Sequence, residues 1–249
     1  MKNNWNAENY TDNFQFVHKY GEGVLDLLTV PKGSFVVDLG CGNGALTEKL
    51  VQKGYKTIGI DASERMLETA KKAHPDLEFM LGDACEFELE EKADAIFSNA
   101  VFHWIDNHER LIENISDNLK AGGELVFEFG GKGCAEAVHR ALEKSFSSYG
   151  LKYENGFNFK SIGEFAPLLE RHGFRVEYAM LYDRPTEQIG ENGLENWINM
   201  FINSAFDGVD TKIKNGIIKN TEKLCRDKLY KNGKWYIDYV RICMKAVKE

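Results

Sequence analysis

The most constraining stretch of the chain is Val36-Val37-Asp38-Leu39-Gly40-Cys41-Gly42-Asn43-Gly44-Ala45, an apolar run that breaks into three alternate glycines and resumes as a helix-forming pattern. Glycine is required where a backbone turns tightly and where a ligand approaches it without a Cβ in the way. A buried strand that passes through such a loop into a helix is the opening of a βαβ unit, and βαβ units build parallel sheets.

The same alternation continues from residue 34. Ser34–Leu39 reads as a strand, Ala45–Lys53 as a helix ended by Gly54, Lys56–Asp61 as a second strand, and Glu64–His74 as a helix stopped by Pro75. Leu77–Leu81, Asp94–Ser98 and Glu124–Phe129 read as further strands, with Asn107–Leu119 a helix ended at Gly122-Gly123. Helices follow at about Ala135–Tyr149 and Ser161–His172, then a strand at Phe174–Tyr182 and a long last strand at Trp235–Val247. Between these strands Leu194, Trp197, Ile198, Phe201 and Ile202 recur at helical spacing, and Ile213, Ile217, Ile218 and Leu224 less regularly. The expected architecture is α/β: a doubly wound, mostly parallel, seven-stranded Rossmann-like sheet with an antiparallel last strand and a helical cap insertion. It is expected as one domain over 1–249. Its parts are a helical N-terminal arm at 1–30, a cofactor-binding core at 31–130, helices and a sixth strand at 131–184, a cap at 185–234 and a last strand at 235–249.

Composition excludes several classes. The 249 residues are 43% hydrophobic and 12% aromatic, with only 4 prolines, so the chain can bury a full core and is not low-complexity. No run approaches the roughly 18 apolar residues of a membrane span, and the opening residues lack the apolar segment of a secretory signal. The expected compartment is the cytoplasm, without membrane association. Five cysteines, at 41, 85, 134, 225 and 243, show no CxxC pairing and read as reduced thiols rather than metal ligands. The net charge of −8 divides unevenly: residues 211–249 hold 11 Lys and Arg against 4 Asp and Glu, leaving 20 against 35 in residues 1–210. The acidic bulk disfavours nucleic acid, and the basic segment reads as a solvated helix face with a lysine-guarded edge strand, or as an electrostatic patch.

Gly40-x-Gly42-x-x-Ala45 also fits a dinucleotide fingerprint, so the ligand class depends on the surrounding charges. Asp38 sets a carboxylate at the strand tip beneath the loop, where it would repel a pyrophosphate. It would attract a ligand carrying an ammonium and a sulfonium but no phosphate, which is the charge pattern of S-adenosylmethionine. Asp61 closes the second strand and suits ribose hydroxyls, although an acid there also fits NAD. Asp83, with the Ala84 backbone, follows the third strand and suits the adenine amine and ring nitrogen, with Ile60 and Met66 sandwiching the base. Each acid taken singly is equally a helix cap, as Asp61 or Ser63 would be for the helix from Glu64.

The chain is identified as resembling class I S-adenosylmethionine-dependent methyltransferases, and within them the trans-aconitate methyltransferase-like group. The motifs are Asp38-Leu39-Gly40-Cys41-Gly42-Asn43-Gly44, Gly59-Ile60-Asp61-Ala62-Ser63, Gly82-Asp83-Ala84, Phe97-Ser98-Asn99-Ala100-Val101-Phe102-His103-Trp104 and Leu119-Lys120-Ala121-Gly122-Gly123. The opening Trp5 through Tyr10 to Phe16 resembles that group's arm over the cofactor. The resemblance implies that Asp38 and Gly40 hold the methionyl amino end, Asp61 the ribose, Asp83 and Ala84 the adenine, and Asn99 a backbone contact near the methionyl group. His103 and Trp104 would stand beside the transferred methyl. The group more typically carries glutamine where this chain has His103, so trans-aconitate itself is not carried over.

A small-molecule acceptor is expected, with a carboxylate or hydroxyl oxygen receiving the methyl. No Asn/Asp-Pro-Pro-aromatic run follows the fourth strand and no proline precedes a cysteine, which argues against nucleic-acid methylation. A carboxylate needs no base; a hydroxyl or amine would make His103, with an unperturbed pKa of about 6.5, the candidate base, and otherwise it is a pocket wall. Trp104, Tyr10 and Phe14 are candidate pocket aromatics, Arg184 a candidate partner for an acidic substrate, and Cys41 a filler. The competing readings are an NAD(P)-dependent oxidoreductase and a non-catalytic cofactor-binding module. The protein is expected as a monomer or homodimer.

Overall fold

The structure, a computed structural model, describes residues 23–249; the expected arm through residue 22, with Tyr10 and Phe14, lies outside the described residues. The described chain separates into two compact units. One comprises residues 23–132 with Asn158–Leu181 and Arg241–Glu249, and the other comprises Gly133–Phe157 with Tyr182–Val240.

The first half alternates as its hydrophobic pattern requires: β1 (Phe35–Leu39), α1 (Ala45–Gln52), β2 (Lys56–Asp61), α2 (Glu64–Ala73), β3 (Glu78–Leu81), β4 (Ala93–Asn99), α3 (His108–Asn118) and β5 (Leu119–Gly130). There follow α4 (Glu136–Ser147), α5 (Ile162–Arg171), β6 (Phe174–Gln188), α6 (Gly193–Phe201), α7 (Thr211–Leu229), β7 (Tyr230–Lys231) and β8 (Lys234–Lys248). The strands order as β3-β2-β1-β4-β5-β8-β6, with β7 paired to β8. Neighbours from β3 to β5 are parallel, and β8 is antiparallel to β5.

Two differences from the sequence reading have local causes. The sheet has eight strands rather than seven, because Asn232 and Gly233, both at positive φ, make a two-residue hairpin that pairs Lys231 with Lys234. The sixth strand runs on to Gln188 instead of ending at Tyr182, carrying Pro185 and Arg184 within it. It closes the strand order, and at an edge the missing proline N–H breaks no inner ladder.

In the first unit, Val37, Leu39, Ile96, Leu125, Phe127, Phe129, Ile242 and Met244 of the sheet form one core with Leu111, Ile115, Phe165 and Leu169 of α3 and α5. The chain leaves β1 toward β2 and β3 on one side and returns through β4 and β5 on the other. The carboxyl ends of β1 and β4 therefore flank a topological switch point, where open α/β sheets bind ligands. In the second unit the Thr221 hydroxyl of α7 donates to Ser145 of α4 at 3.0 Å, and the Trp197 indole donates to the Tyr239 hydroxyl at 2.6 Å.

Candidate active site

The site grows from the tip of β1. Asp38 lies one residue from the strand end and is 2% exposed. Its carboxylate accepts a 2.6 Å hydrogen bond from the Thr47 hydroxyl on α1, which is also buried. The Gly40 and Cys41 amides donate to the Ile60 carbonyl at 2.7 and 3.0 Å, folding the loop over the end of β2. Gly40 has a φ of +77°, and a Cβ there would come within 2.1 Å of the Val101 side chain. The loop after β1 thus touches the loop after β4, and only glycine fits the contact. Gly44, also at positive φ, leads into α1.

Asp61 ends β2. One of its oxygens accepts the Gly42 amide at 2.9 Å and the other the Ser63 amide at 2.9 Å. Ser63, not Asp61, caps α2 through the Met66 amide at 3.3 Å. Asp61 is instead a clasp that closes the glycine loop, with lone pairs left on both oxygens for further donors. Burial pushes the Asp38 carboxyl up to about 7, opposed by the Thr47 hydrogen bond and reinforced by the Asp61 charge. Burial also raises Asp61, offset by amides of Ser63, Gly42 and Ala62. Among the described residues, the compensation for both acids comes from a hydroxyl and from amides rather than from a cation. Cys41 between them stays a thiol, its pKa driven up first by burial and then by both carboxylates.

Met66 is buried on α2, and its Cε lies 3.3 Å from where a Cβ on Gly42 would sit, which places it under the loop; Ala62 is exposed. Ile60, expected against the base, is instead fully buried in the core beneath the sheet end, because the strand alternation turns it inward. Asp83 stands exposed after β3, its carboxylate accepting the Cys85 amide at 2.9 Å, and the Ala84 carbonyl accepts from Asn114 at 3.2 Å. Gly82 ties that loop to β2 through the Asp61 carbonyl at 3.1 Å. Asn99 ends β4 opposite Glu128, and the next residue, Ala100, has a φ of +63°.

Beyond β4 the chain makes a 3-10 turn, Phe102–Trp104. Phe102 roots it, with ring centroids 5.0 Å from Phe127 and 5.7 Å from Phe129. His108 donates to the Phe102 carbonyl at 2.8 Å, and Asn158 holds the turn through its amide to the His103 carbonyl at 2.8 Å and its side chain to Ile105 and Asp106. Neither residue belongs to a sequence motif. His103 is buried, and its ring lies 5.2 Å from Trp104. Its Nδ1 accepts the Gly130 amide at 3.2 Å. Burial foremost, then the Arg241 and His108 charges, hold the imidazole well below its ordinary range. With Nδ1 accepting from Gly130, the tautomer that fits this bond carries its proton on Nε2. Nδ1, the ring nitrogen that would take a proton, accepts the Gly130 amide.

Arg184 belongs to the second unit, where its guanidinium lies 5.1 Å from the Tyr182 ring centroid and hydrogen-bonds the Tyr182 hydroxyl.

Residues 37–127 match the family described as a methyltransferase domain. The whole chain is similar to an uncharacterized methyltransferase of Schizosaccharomyces pombe, 28% identical over 98% of each protein. The trans-aconitate 2-methyltransferase of Rhizobium rhizogenes is 37% identical over 94 residues, which is 37% of each chain. The fold matches a TehB-like SAM-dependent methyltransferase structure from Corynebacterium glutamicum with a TM-score of 0.57, at 18% identity over 98% of both chains. The chain is a class I S-adenosylmethionine-dependent methyltransferase. S-adenosylmethionine is its methyl donor, and a small molecule its acceptor. The donor set fits that cofactor: two desolvated acids beside a glycine loop suit an ammonium and a sulfonium, whereas a pyrophosphate would meet both carboxylates. No described helix of this methyltransferase is long and apolar enough to cross a membrane.

Proposed function

We propose that this methyltransferase transfers a methyl group to a carboxylate oxygen of a small molecule, using a site built on the carboxyl ends of β1 to β5. Asp38 and Gly40 hold the methionyl amino end, with Gly42 and Gly44 allowing close approach. Asp61 takes the ribose hydroxyls on its remaining lone pairs, Asp83 with Ala84 the adenine edge, and Ala62 and Met66 the base. Asn99 contributes a backbone contact near the methionyl group. His103 and Trp104 form the acceptor wall.

When bound, S-adenosylmethionine supplies a methyl already activated on a sulfonium. What remains for the protein is to align the acceptor in line with that methyl and to exclude water. The buried turn from Phe102 to Trp104, fixed by His108, Asn158 and Gly130, is suited to both tasks. The observation that carries the choice of a carboxylate is the Gly130 amide on His103 Nδ1. A hydroxyl or amine acceptor needs a base, and this histidine offers only a donor; a carboxylate needs none. The acidic surroundings of the site support a small molecule over nucleic acid, and a cysteine spacing without CxxC motifs supports the cytoplasm, with the protein acting as a monomer or homodimer.

Thermal unfolding with S-adenosylmethionine, its demethylated product, NAD and no ligand tests the cofactor site. A ligand at 100 times its Kd stabilises by about 2.7 kcal/mol. The two sulfur ligands raise the Tm of the wild type, NAD does not, and Asp61→Ala loses the shift. A methyl-transfer assay on carboxylic acids against matched alcohols and amines tests the acceptor: label in a base-labile ester supports the assignment, and label only in ethers or amines overturns it.

A further inference from the structure

Asn114 and Asn118 are buried on α3, at 5% and 8% exposure, on the same face as the core residues Leu111 and Ile115. Both reach the loop after β3. The Asn114 amide nitrogen donates to the Ala84 and Phe87 carbonyls, each at 3.2 Å, which engages both of its hydrogens. Asn118 holds the far end of the same loop: its nitrogen donates to the Phe87 carbonyl at 3.1 Å and its oxygen accepts the Leu89 amide at 3.0 Å. Carbonyls only accept and amide N–H groups only donate, so these partners fix which way each side chain faces. Between the anchors the chain makes one closed turn, with the Asp83 carbonyl accepting the Glu86 and Phe87 amides at 3.0 and 2.9 Å. The described peptides are all trans, so N–H and C=O point oppositely on each. The Asp83 carbonyl points into the turn, and the Ala84 N–H on the same peptide therefore points out of it. The next peptide is held at both ends, its carbonyl by Asn114 and its N–H, on Cys85, by the Asp83 carboxylate at 2.9 Å. A single peptide unit thus joins the Asn114 amide to the Asp83 carboxylate.

We propose that Asn114 is a positioning residue for the base of S-adenosylmethionine, acting through the Asp83–Phe87 turn to fix the acceptor and donor that tell adenine from other purines; this rests on the reading of Asp83 and Ala84 as the adenine edge. Adenine presents an exocyclic amine that donates and a ring nitrogen that accepts, and a carboxylate beside an outward N–H matches that pair. Hypoxanthine reverses both. It sets a carbonyl oxygen against the carboxylate and a ring N–H against the backbone N–H. Telling the two bases apart requires the protein groups to keep one separation, since a turn that shifts pairs one of its groups with either base. Asp83 is exposed and has no packing of its own to hold it. Its rigidity comes through the turn from α3, whose Leu111, Ile112 and Ile115 are fully buried. Asn114 does not touch the ligand in this assignment, so its effect falls on base selectivity and not on the chemistry at the methyl.

The test is calorimetric titration of the full chain with S-adenosylhomocysteine and with its deaminated counterpart, S-inosylhomocysteine, in the wild type, Asp83→Ala and Asn114→Leu. A site that pairs both edge groups of adenine is expected to reject the inosyl ligand by about a hundred-fold or more. Asp83→Ala should lose most of that ratio. Asn114→Leu keeps Asp83 and the Ala84 amide but strips two carbonyls of a buried donor, and the ratio is expected to fall by about ten-fold. If Asn114→Leu keeps the wild-type ratio while Asp83→Ala loses it, the positioning role is overturned and the adenine site stands. A lowered Tm of ligand-free Asn114→Leu with an unchanged ratio has the same meaning, because a merely structural residue moves stability alone. If the wild type binds neither ligand, binds both alike, or keeps its ratio in Asp83→Ala, the reading of the adenine edge falls and the positioning role with it. Should Asn114→Leu fail to fold, Asn114→Asp decides, since it keeps the side chain's shape and turns an oxygen onto the two carbonyls. An undiminished ratio there overturns the assignment, and a lowered one supports it.

Discussion

The Thr47 hydroxyl donates a 2.6 Å hydrogen bond to the Asp38 carboxylate, and both side chains are buried. This bond ties the end of β1 to the first turn of α1, across the glycine loop that separates them. A second tie, from the Gly42 amide to Asp61, joins the same loop to the end of β2. The two acids that give the site its charge also fix the shape of the loop. Removing either should alter stability and binding in ways that can be separated by pH.

Asp38→Asn is expected to stabilise the ligand-free protein at pH 8 while abolishing cofactor binding. The folded protein holds the Asp38 proton to about pH 7, against about 3.9 for an ordinary aspartate. Because the folded state binds this proton more tightly than the unfolded chain, its stabilising effect is complete below about pH 4 and lost as pH rises through 7. The neutral variant escapes that loss. Thermal melts should therefore converge near pH 4 and diverge by pH 8, in favour of Asp38→Asn by on the order of a few kcal/mol. A lower melting point for the variant at pH 8 would mean the buried charge is well compensated.

Thr47→Val removes the donor that favours the ionised carboxylate, so the Asp38 pKa should climb further. A hydrogen bond to a charged group contributes about 1.5 to 3 kcal/mol. At pH 7 S-adenosylmethionine affinity should fall about ten-fold or more, at about 1.4 kcal/mol per decade, and recover substantially at pH 9 as Asp38 ionises. Thr47→Ser keeps the hydroxyl and should bind nearly as the wild type does. Calorimetric titrations at both pH values check this, and a pH-independent loss in Thr47→Val would indicate a packing effect instead.

Gly40→Ala combines two separable costs. An added Cβ would meet Val101 at 2.1 Å, and the φ of +77° strains any L-residue by about 1 to 2 kcal/mol. Adding Val101→Ala takes away the methyls at 2.1 and 2.9 Å but leaves the backbone strain. Denaturant unfolding should show the double variant recovering part of the loss and retaining a deficit of about 1 to 2 kcal/mol. Full recovery would show that the backbone relaxes freely at this position.

The parts of this molecule visible in the sequence are those set by short-range rules. β1, β2 and the helices after them fall within a residue or two of their expected bounds, because glycine, proline and hydrophobic period mark them locally. The acids at the strand tips were visible for the same reason. The Asn232-Gly233 hairpin is equally local, but it lies inside the stretch expected as the helical cap. Pro185 marks an expected strand end, but its tolerance within β6 depends on that strand lying at the sheet edge. Asn158 and His108 carry no motif, and they reach the turn after β4 only through hydrogen bonds to its backbone. The tautomer of His103 depends on an amide 27 residues away. No pattern around Trp104 could have shown it.

That tautomer yields the last prediction. A base of ordinary pKa would put an acid limb near pH 6.5 in the profile of kcat. Here Nδ1 is engaged by Gly130 and burial holds the ring neutral, so kcat should show no inflection from His103 between pH 5.5 and 8. His103→Asn keeps a donor and should retain most of kcat, while His103→Phe should raise KM for a carboxylate acceptor more than it lowers kcat. Stability responds with the opposite sign to Asp38. With its folded pKa below the unfolded value of about 6.5, His103 stabilises the fold above that pH and loses the contribution as pH falls below it. His103→Asn should accordingly lose less stability than the wild type between pH 6.5 and 5. If instead His103→Phe abolishes kcat and added imidazole restores it, the ring is taking a proton during turnover, and the acceptor is a hydroxyl or amine rather than a carboxylate.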